Sequence, residues 1–139
     1  MEKHYQLDDD AFVTAFSKQE LNPEWFSHEA HLRLAWIHIR KHGIKKAIDT
    51  VSHDIRQFAS HHGAADKFHV TVTVAAVRAV YHFILKSESG TFQDFIQEYP
   101  QLKTKFRELL DSHYSMDIFR SELARGEFLH PDKSPFDPI

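Results

Sequence analysis

Two histidines near the start of one apolar segment are the residues with the clearest capacity for chemistry. The segment WFSHEAHLRLAWIHIR spans residues 25–40 and is apolar along most of one side, yet it carries His28 and His31. Residues three or four apart on a helix are neighbours, with roughly 5–6 Å between their Cβ atoms. We therefore expect both imidazoles to face one cavity, with Glu24 beside His28 if the helix begins early enough.

A third histidine opens another predicted helix. In KFHVTVT, residues 67–73, His69 and Thr73 share one helical face at a spacing of four. Three imidazoles suffice for a metal ion that keeps an open coordination position, and they suit zinc or iron. The sequence therefore predicts that His28, His31 and His69 are both the catalytic residues and the ligands of one divalent transition metal ion. Each ring needs a hydrogen-bond partner on its other nitrogen, and the candidates are Glu24, Glu29, Thr73 and Tyr114.

The spacing leaves two other interpretations open. An HxxH pair is neither the HExxH of zinc proteases nor the paired ExxH of di-iron bundles. The histidines then either cap helices and fill structural hydrogen bonds, or form a metal-free acid–base site whose pKa is near the ordinary value of about 6.5. Whether the protein is an enzyme is therefore open on the sequence.

Two arginines lie in apolar segments. Arg33 follows His31 by two residues and is expected on the opposite helix face, solvated or salt-bridged. Arg78 lies within VAAVRAVYHF and needs a carboxylate or an anionic substrate. A structural ion pair is the favoured interpretation of Arg78, and substrate binding is the alternative. No specific role is expected for the histidines in terminal, loop or polar contexts, which are His4, His42, His53, His61, His62 and His130.

The elements that would position these side chains are helices. Four glycines divide the chain at widths that fit helices, and HVTVTV alternates like a strand but has no second strand to pair with. A helix is therefore predicted from about residue 66 to 85. The predicted fold is a single compact all-α bundle of five to seven helices over residues 1–139, with an extended proline-rich tail, residues 127–139, packed on it.

Composition narrows the class of protein. The chain has 139 residues, 42% of them hydrophobic, and a formal net charge of −3, which disfavours a nucleic-acid binder. There are no cysteines, so disulfides and thiolate chemistry are excluded. No apolar signal segment or membrane-length apolar run is visible. We expect a soluble cytoplasmic protein with no membrane partner, and a homo-oligomer is compatible with the sequence.

Several blocks of the sequence resemble a group of short, uncharacterised bacterial all-helical proteins. The blocks are WFSHEAHLRLAW, KFHVTVT, HYS and ARGEFLHPD, and they span most of the chain. The resemblance implies that His28, His31 and His69 belong to recurring motifs, and it implies no activity. DinB-like four-helix bundles are a second comparison because they hold a metal with three histidines. Their close pair comes late at a spacing of four, whereas here it comes early at a spacing of three.

Two functional hypotheses follow. The first is a small helical protein with a histidine-rich site, a metal-dependent enzyme acting on a small molecule. The alternative is a non-catalytic ligand-binding or protein-interaction domain whose histidines are structural.

Overall fold

The computed structural model describes residues 1–139 and is built from helices, with no strand. The all-α prediction is confirmed. The eight α-helices are α1 (Asp9–Ser17), α2 (His28–His42), α3 (Ile44–His61), α4 (Val70–Ile84), α5 (Phe92–Glu98), α6 (Gln101–Thr104), α7 (Phe106–Asp111) and α8 (Glu122–Gly126). Short 3-10 turns cover Lys3–Gln6, Pro23–Trp25, Ala65–Lys67 and Ile118–Arg120.

The segment QLKTKFRELLDSHYS, residues 101–115, has the hydrophobic spacing of one helix but forms two, so the structure has eight helices where about five to seven are predicted. Lys105 leaves the helical region, with φ −133° and ψ 34°, and separates α6 from α7. The hydrophobic spacing runs on through this break, so the pattern alone does not show it. Neither fragment is longer than six residues, and such short helices depend on tertiary packing for their stability.

Side-chain caps and one glycine set the ends of the longer helices. The side chains of Asp8 and Ser27 accept hydrogen bonds from the backbone N–H groups of Ala11 and Ala30, which caps α1 and α2. Gly43 ends α2 with φ +83°, a left-handed conformation that side chains with a Cβ rarely adopt. Because Gly43 also precedes the first residue of α3, it sets the turn between two packed helices.

The core lies where α2, α3 and α4 pack against one another. α2 is its central element, since every residue from Leu32 to Ile39 is buried. A second, smaller core joins α4 to the C-terminal part of the chain through Ala75, Tyr114 and Phe136. None of the helices combines the length and apolarity required to cross a membrane.

The alternating segment HVTVTV, residues 69–74, forms the start of α4 and is not a strand. The helix begins at Val70, not at about residue 66, because a 3-10 turn and an extended Phe68 come first. Thr71 and Thr73 are both buried, as are all the alanines and valines from Val74 to Val80. Because this helix is covered on most sides, its threonines do not mark a face turned to solvent.

The proline-rich tail, residues 127–139, is not helical and is fastened to α4. The Thr71 hydroxyl donates to the Glu127 carbonyl at 2.8 Å and accepts from the Leu129 N–H at 3.1 Å. Tyr114 donates to the Leu129 carbonyl at 2.7 Å, and Phe136 is buried in the second core. One fully buried hydroxyl therefore satisfies two backbone groups of the tail.

Thr71→Val is expected to lower the free energy of unfolding by about 1–3 kcal/mol, because it keeps the shape but leaves two tail backbone groups unpaired. The tail should also detach more often, which limited trypsin digestion at Lys133 would measure. Thr14→Val, at an exposed position of α1, is the control. Equal stability and equal cleavage rates in both variants would contradict the anchoring role of Thr71.

Candidate functional site

The N-terminal residues meet the start of α2 in a cluster of metal-ligand side chains. The donor atoms of Glu2, His4 and Glu29 all lie within 4.8 Å of one another. His4 Nε2 is 3.1 Å from Glu2 Oε1 and 3.9 Å from Glu29 Oε2. Ser27, the cap of α2, donates its hydroxyl to the Glu2 carboxylate. We call this group the Glu2–His4–Glu29 cluster. It could hold a metal ion.

His4 is fully buried, and Arg33 determines which of its nitrogens carries the proton. Arg33 Nη1 lies 3.3 Å from His4 Nδ1, and a guanidinium only donates hydrogen bonds. Nδ1 must therefore accept, so the proton lies on Nε2 and points to Glu2. Burial and the positive charge of Arg33 lower the pKa of His4, although Glu2 and Glu29 oppose them. The ring is therefore neutral at pH 7.

Lys103 is the cation that the two carboxylates attract. Its Nζ lies 2.6 Å from Glu29 Oε1 and 3.5 Å from Glu2 Oε2. Burial would raise the pKa of Glu29, but hydrogen bonds from Lys103 and Tyr5 outweigh it, so the net pKa is lowered. Glu29 is thus ionised although it is only 6% exposed.

An open groove of about 620 Å³ adjoins the cluster. Glu2, Tyr5, Glu29 and Lys103 form part of its wall, and α5 contributes Gln93, Ile96 and Gln97. The carboxylates therefore face a space that a small polar molecule can enter. Burial, and then the neighbouring Glu29, raise the pKa of Tyr5, so its phenol stays protonated and acts as a donor.

His28 and His31 both lie in the first turn of α2, but in different surroundings. His28 is exposed, donates from Nε2 to the Leu102 carbonyl at 3.0 Å and lies against Phe106. His31 Nε2 is buried without a hydrogen-bond partner. Burial and the nearby His28 lower the pKa of His31 to about 4, so it is neutral at pH 7.

His69 is a helix cap. Its Nδ1 accepts from the Val72 N–H at 3.1 Å, and its Nε2 donates to the Ile118 carbonyl at 2.8 Å. Both nitrogens are therefore engaged with backbone. The only three ligand residues whose donor atoms lie within 4.8 Å are those of the Glu2–His4–Glu29 cluster. A metal ion or catalysis at His28, His31 and His69 stays a prediction.

The other predicted site residues are spread over the molecule. Glu24 is exposed on the Pro23–Trp25 turn, and Thr73 is buried in α4. Arg78 donates from Nη2 to the Asp137 carbonyl at 2.9 Å and lies over the Phe136 ring. Tyr114 donates to the tail, and burial raises its pKa to about 12. Tyr114 and Arg78 thus hold the tail.

The sequence alone does not point to Glu2, His4 or Lys103. The salt bridge expected for Arg33 is present, with Asp9 at 2.9 Å, and the residue is buried at 4% exposure, not solvated. The usable signal was Arg33 itself, because a permanent charge within an apolar helix requires acceptors close by. Which distant segment supplies those acceptors is a matter of tertiary structure.

Comparisons with known proteins gave no match to a family model, a curated protein or a solved structure. The function must therefore be argued from the geometry of the chain itself. The expected cytoplasmic location, the absence of a nucleic-acid partner and the homo-oligomer stay predictions.

The neutral, buried state of His31 predicts how stability depends on pH. The unfolded chain binds a proton on His31 below pH 6.5, whereas the folded chain binds it only near pH 4. The free energy of unfolding should therefore fall by up to about 3 kcal/mol as the pH drops through this window, and be unaffected above it.

The test compares urea unfolding at pH 7 and pH 4.5. His31→Phe should remove most of the loss of stability that protonation of His31 causes at low pH. His61→Phe, at an exposed position of α3, should retain the wild-type pH dependence. The same loss between the two pH values in wild type and His31→Phe would contradict the interpretation.

The capping role of His69 predicts how much stability is lost when different residues replace it. His69→Ala should lower the free energy of unfolding by about 1–3 kcal/mol, because the N–H of Val72 and the carbonyl of Ile118 lose their partner. His69→Asn should recover part of this loss, since asparagine is itself a good N-cap. Thermal unfolding measures the series, with the exposed His53→Ala as control. If His69→Asn is no more stable than His69→Ala, the capping role is contradicted.

Proposed function

We propose that the protein binds one divalent transition metal ion, zinc or iron, at the Glu2–His4–Glu29 cluster and acts on a small polar molecule in the adjoining groove. The observation that carries the proposal is the convergence of three ligand side chains within 4.8 Å of one another, two of which, Glu2 and Glu29, line that groove. A site with three protein ligands keeps further coordination positions free, which is the arrangement of catalytic metal sites.

The protonation states support the proposal. Metal ligands must be a neutral imidazole and ionised carboxylates. Lowered pKa values of His4 and Glu29 give that state at pH 7. Nitrogen and carboxylate donors without thiolates suit zinc or iron(II). Bound there, the ion would supply a Lewis acid to a molecule in the groove.

Two groups compete with the ion. Lys103 must leave Glu29, and its side chain is 47% exposed, so it can turn into solvent at small cost. For Nε2 of a neutral His4 to bind the ion, the ring proton that now points to Glu2 must move to Nδ1. The Arg33 N–H that Nδ1 accepts must then turn away, since a guanidinium cannot accept a proton.

The second candidate is a non-catalytic ligand-binding or interaction domain with structural histidines. The double backbone engagement of His69 favours it, as does the 2.6 Å pair between Lys103 and Glu29. In that case the N-terminal cluster is a buried ion network that attaches residues 1–6 to α2.

Zinc titration by calorimetry at pH 7.5, on protein without a purification tag, separates the candidates. We expect one site. Glu29→Gln should weaken binding by about tenfold or more, because it removes a ligand charge. Lys103→Met should strengthen it, because it removes the competing cation. In the structural alternative neither wild type nor Lys103→Met binds zinc, and that result would overturn the proposal.

Two control variants test whether zinc binding depends on the Glu2–His4–Glu29 cluster and not on nearby residues. Glu24→Gln alters an exposed carboxylate near the same turn and should leave zinc affinity unchanged. His28→Gln should also leave it unchanged. Loss of zinc binding in His28→Gln but not in Glu29→Gln would assign the ion to His28, His31 and His69 instead.

A further inference from the structure

A second cavity lies where the tail packs against the C-terminal half of α4. It has a volume of about 270 Å³ and is lined by α4, α7 and residues 134–137 of the tail. Its apolar walls are Phe83, Leu109 and Phe136, and its polar side chains include His82, His113 and Asp137. This cavity shares no residue with the N-terminal groove.

Both histidines of this cavity have a fixed tautomer. His82 Nδ1 lies 2.7 Å from Asp137 Oδ2, and His113 Nδ1 lies 2.7 Å from the Ser134 carbonyl. Carboxylate and carbonyl oxygens only accept hydrogen bonds, so each Nδ1 must donate. In the neutral form of either ring, Nε2 is then an acceptor with a free lone pair.

The tail supplies the Asp137 carboxylate and the Ser134 carbonyl, and it is itself held in place. Arg78 Nη2 donates to the Asp137 carbonyl at 2.9 Å, and its guanidinium lies 5.3 Å from the centre of the Phe136 ring. His113 stacks on the same Phe136 ring, with 4.2 Å between the two ring centres. The wall of the cavity is therefore built by ordered contacts of charged and aromatic groups.

We propose that this cavity binds a small one-ring aromatic molecule that donates hydrogen bonds through a hydroxyl or amino group. The volume is near the lower end of the roughly 300–1,000 Å³ typical of ligand sites, which restricts the ligand to about one ring. The apolar walls suit the ring, and the two Nε2 lone pairs suit its donor. Asp137 adds a negative charge, so an anionic ligand is excluded.

Phenol, toluene and benzoate are suitable probes because they share one ring and differ in the substituent. Titration followed by ¹H–¹⁵N NMR at pH 8, where imidazoles of ordinary pKa are neutral, should show millimolar phenol binding at residues 134–137 and α4. Toluene should bind about tenfold more weakly, since it has no donor, and benzoate more weakly still. Equal affinity for phenol and toluene, or shifts elsewhere on the protein, would overturn the proposal.

Two variants test the acceptors. His113→Phe keeps an aromatic ring against Phe136, and His82→Phe removes the partner of Asp137. Each should weaken phenol binding about fivefold or more while leaving toluene binding unchanged, whereas His61→Phe should change neither. Unchanged phenol binding in His113→Phe would refute the acceptor role.

Discussion

The burial of the Arg33 guanidinium is the interaction on which the N-terminal half of the molecule depends. All five of its N–H donors are used, on Asp9 Oδ1 twice, the carbonyls of His4 and Leu7, and His4 Nδ1. An unpaired charge in that position would destabilise the fold by several kcal/mol, so the chain before α1 has little freedom in its path. The 3-10 turn Lys3–Gln6 directs the His4 carbonyl to this cation, and Leu7 directs its own carbonyl there directly after the turn. The Glu2–His4–Glu29 cluster is a consequence of that path.

The chemistry of each histidine is decided by its partners more than by its spacing. His69 has a backbone partner on both nitrogens, so it caps α4. His4 faces a cation on one side and carboxylates on the other, which fixes a neutral tautomer. His82 and His113 have a partner on Nδ1 alone, and this leaves Nε2 free for a ligand. Four histidines of one chain thus receive three different roles from hydrogen bonding.

The helical class, the caps of α1 and α2 and the turn at Gly43 follow from local sequence. Asp8 and Ser27 lie directly before apolar runs with helical spacing, and Gly43 follows three basic residues in the last turn of α2. The pairing of His28 with His31 is local as well. The partners of Arg33 and Arg78 are not predictable in this way, because they lie 24 to 59 residues away in the sequence. Helical periodicity carries no information about which loop returns to which helix.

The two cavities differ in charge, and the difference follows from how each one is closed. The N-terminal groove has two carboxylates that already hold the Lys103 ammonium, so its preferred occupant is a compact cation. The tail cavity has its one carboxylate engaged by His82, and its remaining polar side chains, two serines and His113, lie among aromatic rings. A metal ion would lose its water shell there and gain one carboxylate that His82 already engages, which is unfavourable. The same protein therefore separates a site suited to a cation from a site suited to an uncharged donor, with α4 between the tail and the core.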